Sequence, residues 1–153
     1  MGGGEKAEAV KDIVRRLGAR IADVMYVGDS ITDDEAFRLV EKGGLTVSFN
    51  GNQYAVRNAE VAVLSENSIV TAVIADAFLR FGKPEALHLV ESWNRKALEK
   101  SRVCKTLIRR LFELYPGRLP KAEIITERNV EALTEESSRF RNGVRGEAVG
   151  RLG

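Results

Sequence analysis

Val24-Met25-Tyr26-Val27-Gly28-Asp29-Ser30-Ile31-Thr32-Asp33 decides how this chain is read. Its opening run of apolar residues reads as a strand buried on both faces, as in a parallel sheet. Gly28 ends the run, where the chain can turn sharply without a Cβ in the way. Asp29 follows at once and Asp33 sits a short loop further on. Two carboxylates held this close repel each other unless a positive group lies between them. At the carboxyl end of a parallel strand a hard cation such as Mg²⁺ commonly fills that place. The plainer reading is that an Asp after a strand caps the next helix.

Outward from this stretch the elements alternate. Thr32 and Glu35 have capping-box spacing, which predicts a helix over 33–42 that stops at Gly43-Gly44. Residues 45–49 read as a second strand, followed by the polar turn Asn50-Gly51-Asn52. Residues 61–64 read as a third strand. Asn67 is placed to cap a helix whose apolar face includes Ile69, Val70, Val73, Ile74, Ala77, Phe78 and Phe81. Upstream, residues 5–17 have helical periodicity, with Ala9, Val10, Ile13, Val14 and Leu17 on one face and Gly18 as the stop. This order predicts an α/β layer architecture.

Four groups of residues follow one another in a fixed order: Lys6 opening a helix after Gly2-Gly3-Gly4-Glu5; then Gly28-Asp29-Ser30-Ile31-Thr32-Asp33-Asp34-Glu35-Ala36-Phe37; then Val47-Ser48-Phe49-Asn50-Gly51-Asn52; then Ala59-Glu60-Val61-Ala62-Val63. In this order they resemble the haloacid dehalogenase-like (HAD) superfamily, in particular its sugar-phosphate and phosphoglycolate phosphatase-like branches. The resemblance covers residues 2–82. It implies a catalytic role for Lys6, which would hold the transferring phosphoryl group and the nucleophile in register. It implies that Asp29 is the direct Mg²⁺ ligand and that Asp33 orients the metal or its waters. Asn50 and Asn52 would lie near the substrate, a phosphorylated small molecule. Phosphoryl transfer depends chiefly on positive charge around the phosphoryl oxygens, which suits this set. Asn50-Gly51-Asn52 is also a good turn with no ligand at all, and Lys6 at a helix start can be a solvated charge.

The departure from the family pattern matters as much as the match. HAD phosphatases begin with a strand ending in Asp-x-Asp, whose first Asp attacks phosphorus, and this sequence contains no Asp-x-Asp. No Ser/Thr-ended strand precedes Lys6 either. The chain looks like the C-terminal half of such a core, so the isolated chain is expected to be inactive. The expected fold is α/β: a partial HAD-like (Rossmann-like) three-layer core with a short parallel sheet over 1–82, a mainly helical extension over 83–142, and a glycine-rich tail over 143–153 expected to be mobile.

Composition sets outer bounds. The chain has 153 residues, 44% hydrophobic and 30% charged, which suits a globular domain with a real core. No apolar stretch is long enough to span a membrane, and no signal peptide precedes the first helix. Cys104 is the sole cysteine, which excludes an internal disulfide and favours a cytoplasmic setting. Its place on an apolar helical stripe makes it a small core residue by expectation. His88 is the sole histidine, so His/Cys metal sites are not expected. Residues 1–82 carry 9 Lys and Arg against 12 Asp and Glu, a net −3, whereas 83–153 carry 15 against 10, a net +5. The shift falls at Gly82-Lys83-Pro84, a natural breaker.

Beyond it, residues 85–115 lack Gly and Pro and carry an apolar stripe that includes Ala86, Leu89, Val90, Trp93, Ala97, Cys104, Leu107, Ile108, Leu111 and Tyr115. Lys100 and Ser101 interrupt the stripe, so a bend there is open. Unbroken, such a helix measures about 45 Å. Its other face carries Arg95, Lys96, Arg102, Lys105, Arg109 and Arg110. Balancing glutamates and a scarcity of aromatics make this a solvated face rather than a nucleic-acid surface. Residues 122–126 read as a short strand and 127–140 as a last helix. Without its first strand, the HAD-like sheet leaves residues 24–27 at an open edge that must be covered. The chain's own second half or another chain can supply the cover; an overhanging stripe favours a partner, so a homo-oligomer or a separate N-terminal half chain is expected, with Trp93, Leu107 and Leu111 at the interface. Two functions of different class follow: half of a Mg²⁺-dependent phosphohydrolase, or a non-catalytic HAD-derived binding or assembly module acting through its basic helical half.

Overall fold

A computed structural model describes residues 1–150; residues 151–153, the end of the expected tail, lie outside the described residues. The fold is α/β. Three strands, β1 (Met25–Gly28), β2 (Leu45–Phe49) and β3 (Val61–Leu64), run parallel, and β4 (Lys121–Ile124) lies antiparallel beside β3. The sheet order is β1-β2-β3-β4. The register sets Val27 opposite Val47 and Val47 opposite Val61, so apolar rows run across the sheet.

The helices are α1 (Gly3–Leu17), α2 (Asp34–Val40), α3 (Gln53–Asn58), α4 (Ile69–Phe81), α5 (Lys83–Glu91), α6 (Arg95–Lys100), α7 (Lys105–Leu114) and α8 (Val130–Gly150). Strand alternation divides them into two layers. Leu45, Val47, Val61, Val63 and Ala122 point to the face covered by α4, α5, α6 and α7. Ala62 and Leu64 point to the other face, where Val56 of α3 and Leu133 of α8 meet them. Phe37 of α2 packs there with Ala55 and Ala59, and Tyr26 meets the Phe37 ring edge-on at 5.6 Å between centroids. Asn67 does serve the start of α4: its side-chain oxygen accepts the Ile69 N–H at 2.8 Å.

Several expectations change. The stripe over 85–115 is three helices, not one. Asn94 caps α6 by accepting the Ala97 N–H at 2.9 Å, and Ser101 returns its hydroxyl to the Leu98 carbonyl at 2.7 Å. The broken helices wrap over the sheet instead of overhanging it. Leu111 is fully buried, Leu107 packs against the core, and the Trp93 indole donates to the Pro120 carbonyl at 2.9 Å. Of the residues expected at an interface, Leu111 is thus inside the chain's own core, and Trp93 and Leu107 are partly buried against it. The same core takes residues from both sides of Gly82, so the charge shift there does not coincide with a break in packing. Cys104 is exposed, at the start of α7, and is not a core residue. The residues read as a tail continue α8 as far as Gly150.

β1 also departs from expectation. It is the sheet's edge, paired on one side only, and Val27 is 42% exposed rather than buried on both faces. The neighbouring apolar surface is open as well: Ile13 and Leu17 of α1 and Ile31 after β1 are all exposed.

Candidate functional site

The parallel strands deliver their following loops to one end of the sheet, which is where ligands collect in open α/β folds. Residues 29–33 leave β1 there and residues 50–52 leave β2. A 3₁₀ turn over Ile31–Asp33 leads into α2, one turn earlier than the capping box suggested. Thr32 does not cap that helix; its hydroxyl accepts the Lys6 ammonium at 2.7 Å. The turn is closed by Asp33, whose Oδ2 accepts the N–H groups of Asp29 at 2.9 Å and Ser30 at 3.0 Å. A Cβ on Gly28 would lie 2.5 Å from Asp33 Cγ, so only glycine lets the strand end approach this carboxylate.

Asp33 is nearly fully buried, at 3% exposure. Its Oδ1 accepts the Lys6 Nζ at 2.7 Å and the Tyr26 hydroxyl at 2.8 Å. Burial alone raises a carboxyl pKa, but the bonds from Lys6, the Asp29 N–H, Tyr26 and the Ser30 N–H outweigh it and hold Asp33 at about 2. Burial, then the neighbouring Asp33 carboxylate, push the Tyr26 hydroxyl well above the ordinary tyrosine range, so it stays a donor. Asp29 faces the open cleft with about half its side chain exposed. Arg141 of α8 reaches it: one guanidinium nitrogen donates to Asp29 Oδ2 at 2.9 Å, to the Asp29 carbonyl at 2.9 Å and to the Asn50 carbonyl at 3.0 Å.

Each of the two carboxylates thus has its own side-chain cation, Lys6 for Asp33 and Arg141 for Asp29. Both Asp33 oxygens are committed. Among the described residues no group of three or more His, Cys, Asp or Glu gathers as a metal centre would require. The residues present therefore do not by themselves fit a Mg²⁺ site.

Asn50 and Asn52 do structural work at this end of the sheet. The Asn50 side chain pairs with Ser65, donating to its carbonyl at 2.8 Å and accepting its N–H at 3.0 Å. Asn50 also has φ +48°, a left-handed turn conformation that asparagine tolerates. The Asn52 side chain caps α3 by accepting the N–H groups of Tyr54 and Ala55, and its own N–H donates to the Asp29 carbonyl at 2.9 Å. Asn50 lines the cleft; Asn52 belongs to its supporting loop.

The cleft measures about 530 Å³ and is lined by Lys6, Asp29, Asp33, Arg141 and Arg145, with Val27 at its β1 side. Three cations against two carboxylates leave the cleft with a net positive charge. Sequence reading found Lys6, Asp29 and Asp33 and missed Tyr26, Arg141 and Arg145. Tyr26 lay inside an apolar run, and the arginines lay in a segment read as the end of a helix and a loose tail.

No family model matches the chain, and no curated protein matches it. Among solved structures it is similar to gene product AF1437 from Archaeoglobus fulgidus, with a TM-score of 0.69 and 27% identity over 96% of this chain. The chain spans 39% of the length of that protein.

Proposed function

We propose that this chain supplies the phosphate-binding half of a HAD-like phosphohydrolase site, and that a second unit adds a strand along the free edge of β1 together with the missing nucleophile. The observation that carries the reading is the position of that edge. The cleft holding Lys6 and Asp29 opens onto unpaired β1, beside exposed Val27. The greater length of AF1437, of which this chain spans 39%, supports the existence of further structure around such a unit. The substrate class is a phosphorylated small molecule.

In this reading Lys6 binds a phosphoryl oxygen. An ammonium has three donors, and Thr32 and Asp33 take two of them. Asp33 orients Lys6 and, through the Asp29 and Ser30 N–H groups, the loop that presents Asp29. Arg145 adds positive charge at the cleft wall. Mg²⁺ belongs to the reading only in the completed site, where the second unit brings carboxylates to join Asp29. A cytoplasmic setting is part of the same proposal; no helix of the described residues is long and apolar enough to cross a membrane. A second copy of the chain is the other candidate for the β1 edge. A module acting through the basic helices has less support. Arg95 reaches the carbonyls of Tyr115 and Gly117, Arg102 stacks over Phe81 at 4.0 Å, and Lys105 reaches the carbonyls of Glu99 and Ser101.

The test is calorimetric binding of inorganic phosphate, paired with a turnover assay on a generic phosphomonoester. The expected result is measurable phosphate binding in the wild type, its loss in Lys6→Ala, and no turnover by the isolated chain. Phosphate binding unchanged in Lys6→Ala removes the reading. Turnover that vanishes in Asp29→Ala removes the claim that the nucleophile comes from elsewhere.

A further inference from the structure

We propose that the cavity lined by α4, α5 and α6 is a second binding site, which takes a small aromatic monocarboxylate. The site shares no residue with the Lys6 cleft and does not rest on the phosphohydrolase reading. Its volume, about 240 Å³, is below that of a drug-sized pocket and suits one ring with a short arm. The helix breaks open it: Ser92 after α5 and Ser101 after α6 both line it. Buried Ala77, Leu89 and Val103 give it an apolar floor, with partly buried Phe81 beside them. Ala77 of α4 and Ala97 of α6 offer methyl groups where longer side chains would fill the space.

The rim carries the charge. Exposed Lys100 and Arg102 set two cations against one carboxylate, Glu85, with His88 one turn further along α5. This balance favours an anion over a cation. The backbone that presents Arg102 is fixed before any ligand arrives. The Lys105 ammonium donates to the Ser101 carbonyl at 2.9 Å, the Arg80 guanidinium to the Arg102 carbonyl at 2.6 Å, and the Cys104 N–H to Asp76 Oδ2 at 2.9 Å. The Arg102 guanidinium itself stacks over the Phe81 ring at 4.0 Å, whereas Glu85 stands 3.9 Å from it, beyond hydrogen-bond length. A guanidinium stacked in this way keeps its planar fork of donors for a carboxylate, which it holds through two parallel bonds. The ring of the ligand then lies against Phe81 and Leu89, and the preset backbone lowers the ordering cost of binding.

The experiment is a heteronuclear NMR titration of the full chain with phenylacetate, with phenylacetamide as the neutral control and acetate as the ringless one. The expected result is saturable binding of phenylacetate that shifts the amide signals of α4, α5 and α6. Each control binds about tenfold more weakly, and so does phenylacetate to Arg102→Gln, as the loss of charge-assisted bonds requires. Ala97→Leu fills the cavity and removes binding. Circular dichroism checks that each variant is folded; Arg102 is exposed, so its substitution remains a test if Ala97→Leu does not fold. Absence of phenylacetate binding to the wild type overturns the proposal. So does equal binding of phenylacetamide, or phenylacetate binding unchanged in Arg102→Gln or in folded Ala97→Leu. None of these outcomes touches phosphate binding at Lys6, so the two readings fail separately.

Discussion

Asp33 accepts five hydrogen bonds, more than any other carboxylate among the described residues. Such a group is tied to the folded state through its charge. Its folded pKa of about 2 lies below the ordinary 3.8, so the unfolded chain takes up the proton more readily. The resulting stabilisation, about 2 kcal/mol for this buried group, is fully present above pH 4 and is lost as the pH falls towards 2. Asp33→Asn should remove that acid dependence and leave Lys6 without its ion-pair partner. We expect it to cost about 2–4 kcal/mol in urea unfolding at pH 7. A flat profile in the wild type between pH 4 and 2 contradicts the account. The pairing of Asp29 with Asp33 was legible in the sequence because five adjacent positions place both on one loop. Arg141 was not, since it lies 112 residues from Asp29 and no local pattern announces such a contact. No single positive group lies between the two carboxylates; Lys6 pairs with Asp33 and Arg141 with Asp29.

At the scale of elements, β2, β3 and α4 were legible because they lie in the middle of the sheet and core, where burial and periodicity agree. The stripe over 85–115 misled because apolar periodicity survives a helix break when the pieces pack against one surface. The breaks were written in capping residues instead, Asn94 before α6 and Ser101 after it. Short α3 was missed for the opposite reason: its cap, Asn52, was read as part of a turn. Asn52→Ala removes two accepted N–H bonds and should destabilise the protein by about 1 kcal/mol by denaturant unfolding, with the Asp29 main-chain bond retained. Cys104 follows the same logic. At the start of α7 the N–H groups of Leu107 and then Thr106 hold its thiol below the ordinary cysteine range. We expect an aromatic disulfide reagent to label one thiol per native chain within the mixing-limited phase of an ordinary exposed thiol. Labelling that waits for denaturant would restore the core assignment.

For the whole molecule, the question is what covers the side of the sheet that β1 leaves open. Exposed Ile13, Leu17, Val27 and Ile31 all belong to α1, β1 or the turn that follows, while the opposite edge ends in β4. A charge introduced on an exposed edge strand is a natural defence against strand addition. Val27→Lys should therefore leave monomer stability within about 0.5 kcal/mol. It should also lower any concentration-dependent mass seen by light scattering in the wild type. An equal mass-concentration curve for both proteins would show that assembly, if present, uses another surface.

The parallel direction of β1, β2 and β3 has one more consequence. Two copies that join their free edges into one sheet about a two-fold axis perpendicular to that sheet lay their β1 strands antiparallel. Their clefts then face away from each other across a continuous sheet, and neither is finished by its twin. A foreign strand running with β1 ends beside Asp29 instead. Self-pairing and the arrival of such a strand are rival claims on one row of N–H and C=O groups. Were such a pair to form, an added partner strand would compete with it by mass action, and the chain's concentration would set how much of that strand is needed.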